Sequence, residues 1–216
     1  MNTSISLKNF VTIFYKIVKY FFPKRKGLRV LTYHSIVQSD GDLKTIWDLT
    51  KKNFEDHISY IKKNKKIINP QDMDKSKYDD SLLITFDDGN VETFNVAKEV
   101  LESYSAPYTV FIITDFIGKD GYLTLDMLIE LDKSSLVTIG SHGITHRKLT
   151  QCNLKELVFE VEGSKSFLED SLGHQIELFS YPHGDVNKRV ISCVEEAGYK
   201  YAFGSSFDNY MTNYNK

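Results

Sequence analysis

Six short apolar, β-rich runs, spaced by stretches of helical periodicity or longer connections, constrain this chain more than any other feature. They fall at 29–33, 81–86, 108–113, 136–139, 177–181 and 201–203. Strand-like runs that alternate with helical stripes are the pattern of repeated β-α units, with parallel strands inside and helices packed outside. The stripes are explicit. Phe54, Ile58 and Ile61 share one apolar face, and Val91, Phe94, Ala97, Val100 and Leu101 share a second. Leu154, Leu157, Val161, Phe167, Leu168 and Leu172 extend a third. Shorter helices are expected at 125–131 and at 186–197, the latter stopped by Gly198. The polar stretch 38–52 reads as a surface loop carrying the single tryptophan, Trp47. No internal repeat and no low-complexity linker interrupts the series.

At 216 residues the chain is near the lower limit for a full α/β barrel, which takes about 200 to 250. Its two ends shorten it further. Leu7, Phe10, Val11, Phe14, Ile17, Val18 and Phe21 form one helical stripe, but Lys8, Lys16 and Lys19 interrupt it. A spanning helix needs roughly 20 consecutive apolar residues, so this segment is not expected to cross a bilayer. No small-residue cleavage site follows a clean apolar stretch, which argues against a secretory signal. Residues 1–26, ending in the basic Lys24, Arg25 and Lys26, are expected to form an amphipathic helix. It suits peripheral contact with an anionic membrane through 7–22, or packing against protein. A cytoplasmic or membrane-peripheral location follows as the expectation. The asparagine-rich stretch 204–216 is expected to be irregular, leaving 177 residues, 27–203, for the barrel.

Composition removes some function classes. Twenty-seven basic against 29 acidic residues, a net charge of −2, is too balanced for a protein that works by neutralising phosphates, so no nucleic-acid partner is expected. Cys152 and Cys193 lack Cys-x-x-Cys spacing, which indicates neither a thiolate zinc site nor a disulfide scaffold.

Chemistry concentrates at the ends of the strand-like runs. The run 81–86 ends in Asp87, Asp88 and Gly89, two adjacent carboxylates and a residue that permits a sharp exit. In an α/β barrel that end of a strand is where active sites are built. Adjacent strand residues point to opposite faces, so the two carboxylates are expected to have different partners and roles. A turn with aspartate as a helix N-cap is the plain alternative. The run 136–139 leads into His142 and His146, four residues apart, a spacing that lets two imidazoles reach one ion in a helical turn or a tight loop. Two histidines and one carboxylate around a divalent metal is the constellation inferred. His34 follows the first run, and Tyr181, Pro182 and His183 follow a later one; His57 and His174 read as solvated surface residues.

Thr-Phe-Asp-Asp-Gly (85–89) followed by Ser-His-Gly-Ile-Thr-His (141–146) resembles the first two motifs of the NodB-type polysaccharide deacetylases, and the likeness runs from about 28 to 203. It implies a distorted, incompletely closed (β/α) barrel and hydrolytic removal of N-acetyl groups from an N-acetylated amino-sugar glycan. It also implies a divalent metal, zinc with cobalt or nickel as alternatives, held by Asp88, His142 and His146, with Asp87 as general base. Tyr33-His34 looks like the PgaB/IcaB-like branch, in which the motif order is permuted and the acid histidine comes first; this implies His34 as general acid. Phe-Ser-Tyr-Pro-His-Gly (179–184) corresponds to the third motif, although Ser180 stands where many members have arginine and His183 where they have tyrosine or phenylalanine. By that correspondence Tyr181, Pro182 and His183 border the substrate, and the backbone N–H of His183 is the oxyanion donor. The family continues beyond this point into a closing strand with an arginine, which 204–216 does not resemble, so a C-terminally shortened barrel is expected.

Two other readings stay open at this point. One is a catalytically impaired member acting as a membrane-peripheral, glycan-binding or assembly protein; the other is amide hydrolysis on a small non-sugar substrate. Trp47 and Tyr122 are aromatics that either stack on sugar rings or pack ordinarily.

Overall fold

The structure is a computed structural model that describes residues 28–73, 81–204 and the backbone of 211–213. The sheet is built from β1 (Arg29–Tyr33), β4 (Lys66–Ile67), β5 (Ser81–Phe86), β6 (Tyr108–Ile112), β7 (Val137–Ser141), β8 (Leu178–Ser180), β9 (Tyr201–Phe203) and β10 (Met211–Asn213). Its order is β1-β5-β6-β7-β8-β9-β10, with β4 paired beside the start of β5. Every pairing is parallel except that of β10 with β9. Strands covered on both faces read as continuous apolar runs, and all six residues of β5 are buried. Among the described residues no pairing joins β1 to the far side, so the curled sheet is a half-barrel with its helices outside.

Four of the six α-helices described start at a side-chain cap. The Thr50 side chain accepts the N–H of Asn53 to cap α1 (Lys51–Asn64), and Phe54, Ile58 and Ile61 are buried as their spacing predicts. Thr124 caps α3 (Leu125–Asp132), and Asn187 caps α6 (Lys188–Glu196). A π-helical turn, Thr93–Ala97, precedes α2 (Lys98–Ser103). Asn153 and Glu156 form a reciprocal capping box at α4 (Leu154–Val158). The third stripe is not one regular helix: a π turn at Phe159–Gly163 separates α4 from α5 (Ser164–Leu172). One extra residue per turn rotates the following face, which is why the 3.6 period fits the two halves better than the whole.

The main core packs one face of β5 and β6, with Leu82, Ile84, Phe86 and Val110, against the helices, where Phe86 meets both Phe54 and Tyr108 edge-on; the opposite face, with Leu83 and Phe111, forms a second cluster with Leu178 and Phe203. Gly140 in β7 makes room for the ring of Phe111, its partner on the neighbouring strand β6, since a Cβ there would sit 2.5 Å from that ring.

Three expectations are corrected or fall elsewhere. The stretch 38–52 is not wholly loop: β3 (Asp48–Thr50) pairs in parallel with β2 (Ser35–Val37), and α1 begins at Lys51. The tail 204–216 is not wholly irregular, because Met211–Asn213 extends the sheet antiparallel to β9. The expected amphipathic helix 7–22 lies outside the described residues. Among those described, no helix is long and apolar enough to cross a membrane.

Because the strands from β1 to β9 run parallel, the segments after β1, β5, β7 and β8 emerge on one rim. That rim carries His34, Asp87, Asp88, His142, His146 and His183.

Candidate metal and catalytic site

Backbone geometry first brings the groups together. β5 stops at Phe86, and Asp88 then takes a left-handed conformation, φ 72, followed by Gly89 at φ 74. The alternation expected of adjacent strand residues therefore does not apply. Both carboxylates face the same histidine, with Asp87 Oδ2 4.0 Å and Asp88 Oδ1 3.6 Å from His142 Nε2. His146 is brought in by a loop rather than a helical turn, with Gly143 at φ 78 and His146 at φ 60. Its Nε2 lies 3.5 Å from Asp88 Oδ1. Of the four described non-glycine residues with positive φ, three (Asp88, His146 and His183) belong to this rim. Each such conformation costs on the order of 1–3 kcal/mol and persists where surroundings over-determine it, commonly at functional sites.

Protonation follows from the partners. His142 Nδ1 is 2.7 Å from the Ser180 carbonyl, which can only accept, so Nδ1 carries the hydrogen and Nε2 presents a lone pair to Asp88. Burial pushes the His142 pKa down, outweighing the nearby Asp88 carboxylate and the Ser180 bond. His146 is also pushed down, first by burial and then by His142. The result is two neutral imidazoles, the form that ligates metals. Asp88 Oδ1 meets them with no hydrogen-bond partner of its own, although it is buried. Two lone-pair groups, Asp88 Oδ1 and His142 Nε2, face one point beside the neutral His146 ring, an arrangement unfavourable for a protein alone and suitable for a cation. Asp88, His142 and His146 each offer one ligand atom, and these atoms all lie within 4.8 Å of one another. The residues present thus fit a divalent metal.

Asp87 is placed beside this group, not within it. Its N–H donates to the Tyr33 carbonyl at 3.0 Å, tying the end of β5 to the end of β1. Its Oδ2 accepts from Ser180 Oγ at 3.3 Å, whereas Oδ1 is buried without a partner. Burial raises its pKa to about 7, with the Asp88 charge adding to the rise and His34 and the Ser180 bond opposing it.

His34 is held on the same side by Asn90, whose Nδ2 donates to the His34 carbonyl at 3.3 Å. Its ring lies against Trp47, centroids 5.1 Å apart, a contact made by the β2–β3 pair that the sequence reading missed. Trp47 remains 62% exposed. His183 sits at φ 59 and donates from Nε2 to the His146 carbonyl at 2.9 Å, its ring 4.3 Å from that of His146. Pro182 is buried, and Tyr181 is only 4% exposed, edge-on to Phe179. These two back the rim, while His183 stands open on it. Tyr122, half-buried against Phe116, makes an ordinary packing contact. His57 and His174 lie outside the group on the surface, as expected; His174 pairs with Asp132 at 2.9 Å.

Two residues of the site were given no role from sequence, Ser180 having been noted only as a departure from the third motif. Ser180 supplies both the carbonyl that fixes the His142 tautomer and the hydroxyl on Asp87. Glu160 is a buried carboxylate that accepts from the backbone N–H of Ile144 and Thr145 inside the histidine loop. The available signal was its position, a charge on the stripe that runs through Leu157, Val161 and Leu168.

Known proteins are similar to this chain in sequence and in fold. The sequence profile described as polysaccharide deacetylase matches residues 74–202. YxkH of Bacillus subtilis (strain 168), which carries the polysaccharide deacetylase name, is 30% identical over 184 residues, covering 82% of this chain and 64% of the relative. A poly-beta-1,6-N-acetyl-D-glucosamine N-deacetylase of Staphylococcus aureus (strain MRSA252) is 27% identical over 136 residues, 57% of this chain and 47% of that one. The chain therefore spans about half to two-thirds of the length of these curated relatives. Among solved structures, IcaB from Ammonifex degensii superposes with a TM-score of 0.75 at 20% identity, covering 83% of this chain and 84% of that one. A polysaccharide deacetylase from Bacillus cereus gives a TM-score of 0.76 at 24% identity, over 87% and 60%. Both show the same fold.

Proposed function

The chain belongs to the polysaccharide deacetylase family, and from that premise we propose that it is a metal-dependent hydrolase that removes N-acetyl groups from an N-acetylated amino-sugar glycan. The observation that carries this reading is the convergence of Asp88, His142 and His146 on one point, with a partnerless buried oxygen between two neutral imidazoles. These three residues would hold the metal. When bound, a divalent cation such as zinc, or cobalt or nickel, supplies Lewis acidity that polarises an amide oxygen and makes a water more acidic.

The chain's own groups account for the proton transfers. Asp87 accepts the proton of the attacking water; its Oδ2, 4.0 Å from His142 Nε2 and held by Ser180, stands beside the ligand group, where a base is needed. His34 donates to the departing amine nitrogen, which cannot leave as an anion near neutral pH. The backbone N–H of His183 meets charge developing on the carbonyl oxygen, a type of contact whose loss costs about 3–4 kcal/mol of barrier. Pro182 and Tyr181 back this edge of the substrate groove, and His183 borders it.

We assign the chain to the PgaB/IcaB-like branch. Support comes from Tyr33-His34 ending the first strand next to Asp87, and from the poly-β-1,6-N-acetylglucosamine specificity that the S. aureus relative's name states. That polymer is the substrate class to test first. Purified protein loaded with zinc or cobalt should release acetate from β-1,6-linked N-acetylglucosamine oligomers, and Asp87→Asn should lower the rate by about 10²–10⁴-fold while still binding metal. Undiminished turnover in that variant would overturn Asp87 as the base. Metal binding without any acetate release would favour a catalytically impaired glycan-binding protein instead, and release from simple N-acetyl amines at equal rates would remove the glycan.

A further inference from the structure

Glu160 lies in the π turn Phe159–Gly163, one residue from the break in the third helix, and is 1% exposed. A buried carboxylate is expensive unless its lone pairs are satisfied, and both of its oxygens are engaged. Oε2 accepts the backbone N–H of Ile144 at 2.8 Å and of Thr145 at 2.9 Å. Oε1 accepts the Thr145 hydroxyl and lies 3.1 Å from Arg147 Nε. Three hydrogen-bond donors, and the Arg147 guanidinium whose Nε–H goes to Thr145 Oγ1 at 2.9 Å, surround the two oxygens and occupy the sides on which Glu160 could meet a substrate or an ion. What it can do is hold the segment between the two histidines.

The rest of the surroundings point the same way. The carbonyls of Gly143 and Ile144 accept from Thr114 and Asp115, each at 3.1 Å, so the loop is gripped from the β6 side as well. Gly143 N–H donates to Ser141 Oγ, which bonds Ser164 Oγ at 2.8 Å; Ser164 Oγ in turn bonds the Glu160 carbonyl at 2.7 Å. The Val161 carbonyl in the π turn accepts from the Ser164 N–H and hydroxyl and also from the Tyr199 hydroxyl at 3.1 Å, which fixes the turn from a third side. There is no room to improvise around Gly143, where a Cβ would stand 3.3 Å from Glu160 Oε2. The segment that leads into His146, where φ is 60, is thus held on both sides by contacts that centre on Glu160.

We propose that Glu160 is a positioning residue for the metal site: through the Ile144 and Thr145 amides it sets the separation and orientation of His142 and His146 before any ion arrives. The inference rests on the reading of Asp88, His142 and His146 as ligands. Replacing the carboxylate by an amide puts an N–H₂ against either the Thr145 hydroxyl and Arg147 or the two backbone N–H groups, so one side of the clamp must open.

The test is Co²⁺ titration followed by visible absorption, with thermal unfolding of the metal-free proteins in parallel. Wild type should bind one Co²⁺ with a defined ligand-field spectrum, and Glu160→Gln should bind about 10–100-fold more weakly with a shifted spectrum, the usual scale for residues that orient ligands. Thr145→Val, which removes the hydroxyl that donates to Oε1 and accepts from Arg147 Nε but keeps both backbone amides on Oε2, should give a smaller change in the same direction and serves where Glu160→Gln does not fold. If both folded variants keep wild-type affinity and spectrum and merely melt at lower temperature, Glu160 is a fold-stabilising residue and the proposal is overturned. If wild type itself binds no Co²⁺, the ligand assignment fails and the positioning role falls with it.

Discussion

Two histidine–carboxylate groups in this molecule use the same side chains to opposite ends. On the rim at the C-terminal ends of the strands, His142 and His146 stand 3.6 and 3.5 Å from Asp88 Oδ1. At the other end of the sheet, His174 meets Asp132 at 2.9 Å. His174 is exposed and donates from both ring nitrogens, to the Gln175 carbonyl and to Asp132, and these bonds raise its pKa. It is an ion pair that satisfies itself. Burial pushes the pKa of both rim histidines down, and the His142 proton is committed to a carbonyl on the side away from Asp88. That group is complete only with a cation. The difference lies in burial and in where the second ring nitrogen is tied, and neither can be read from residue type.

The variant that separates the two groups most sharply is Asp88→Asn set against Asp132→Asn. The first should abolish stoichiometric zinc binding and cut acetate release by on the order of 10³-fold or more, given the several kcal/mol that a Lewis acid contributes. The second should leave both unchanged. Equilibrium dialysis with metal analysis, alongside an acetate assay, checks the pair.

His34→Asn comes next. Loss of the acid should lower kcat by about 10²-fold with zinc affinity retained, because His34 is beside the ligand group rather than in it. An equal loss of metal affinity would merge two roles that the geometry keeps apart. Trp47→Ala should act more weakly still. Removing the ring on which His34 leans, and which is open to a sugar face, should cost about 0.5–1.5 kcal/mol, read as a change of up to about tenfold in kcat/KM on oligomers.

The smallest effect belongs to the exposed pair. A folded-state pKa above the unfolded value means that His174 stabilises the protein below the unfolded pKa, and that this contribution disappears as pH rises through the folded value. The melting temperature of wild type minus that of His174→Gln should therefore be largest near pH 5.5 and shrink toward pH 8.5, with no change in metal binding. Because the pair is exposed and screened, the difference should be slight.

Much of this comparison was legible before any coordinates. The boundaries of β1, β5 and β9 follow from apolar runs bounded by polar residues, and all five candidate residues Asp87, Asp88, His34, His142 and His146 lie on one rim because a parallel sheet puts equivalent strand ends together. Other features had no signal of sufficient length. β2 and β3 have three residues each, too few for a period to show, and without their pairing Trp47 could not be placed against His34. The left-handed turn at Asp88 overrode alternation, since rules for strand faces end where the strand does. Glu160 was hidden because a charge on an apolar stripe resembles an interruption until the amides it satisfies are seen.

The most direct test is anomalous diffraction at the zinc absorption edge from crystals of the zinc-loaded protein. A single strong peak within bonding distance of Asp88, His142 Nε2 and His146 Nε2, with none beside His174 and Asp132, is the predicted result. A peak at the exposed pair, or none at the rim in protein that retains zinc, would contradict the assignment.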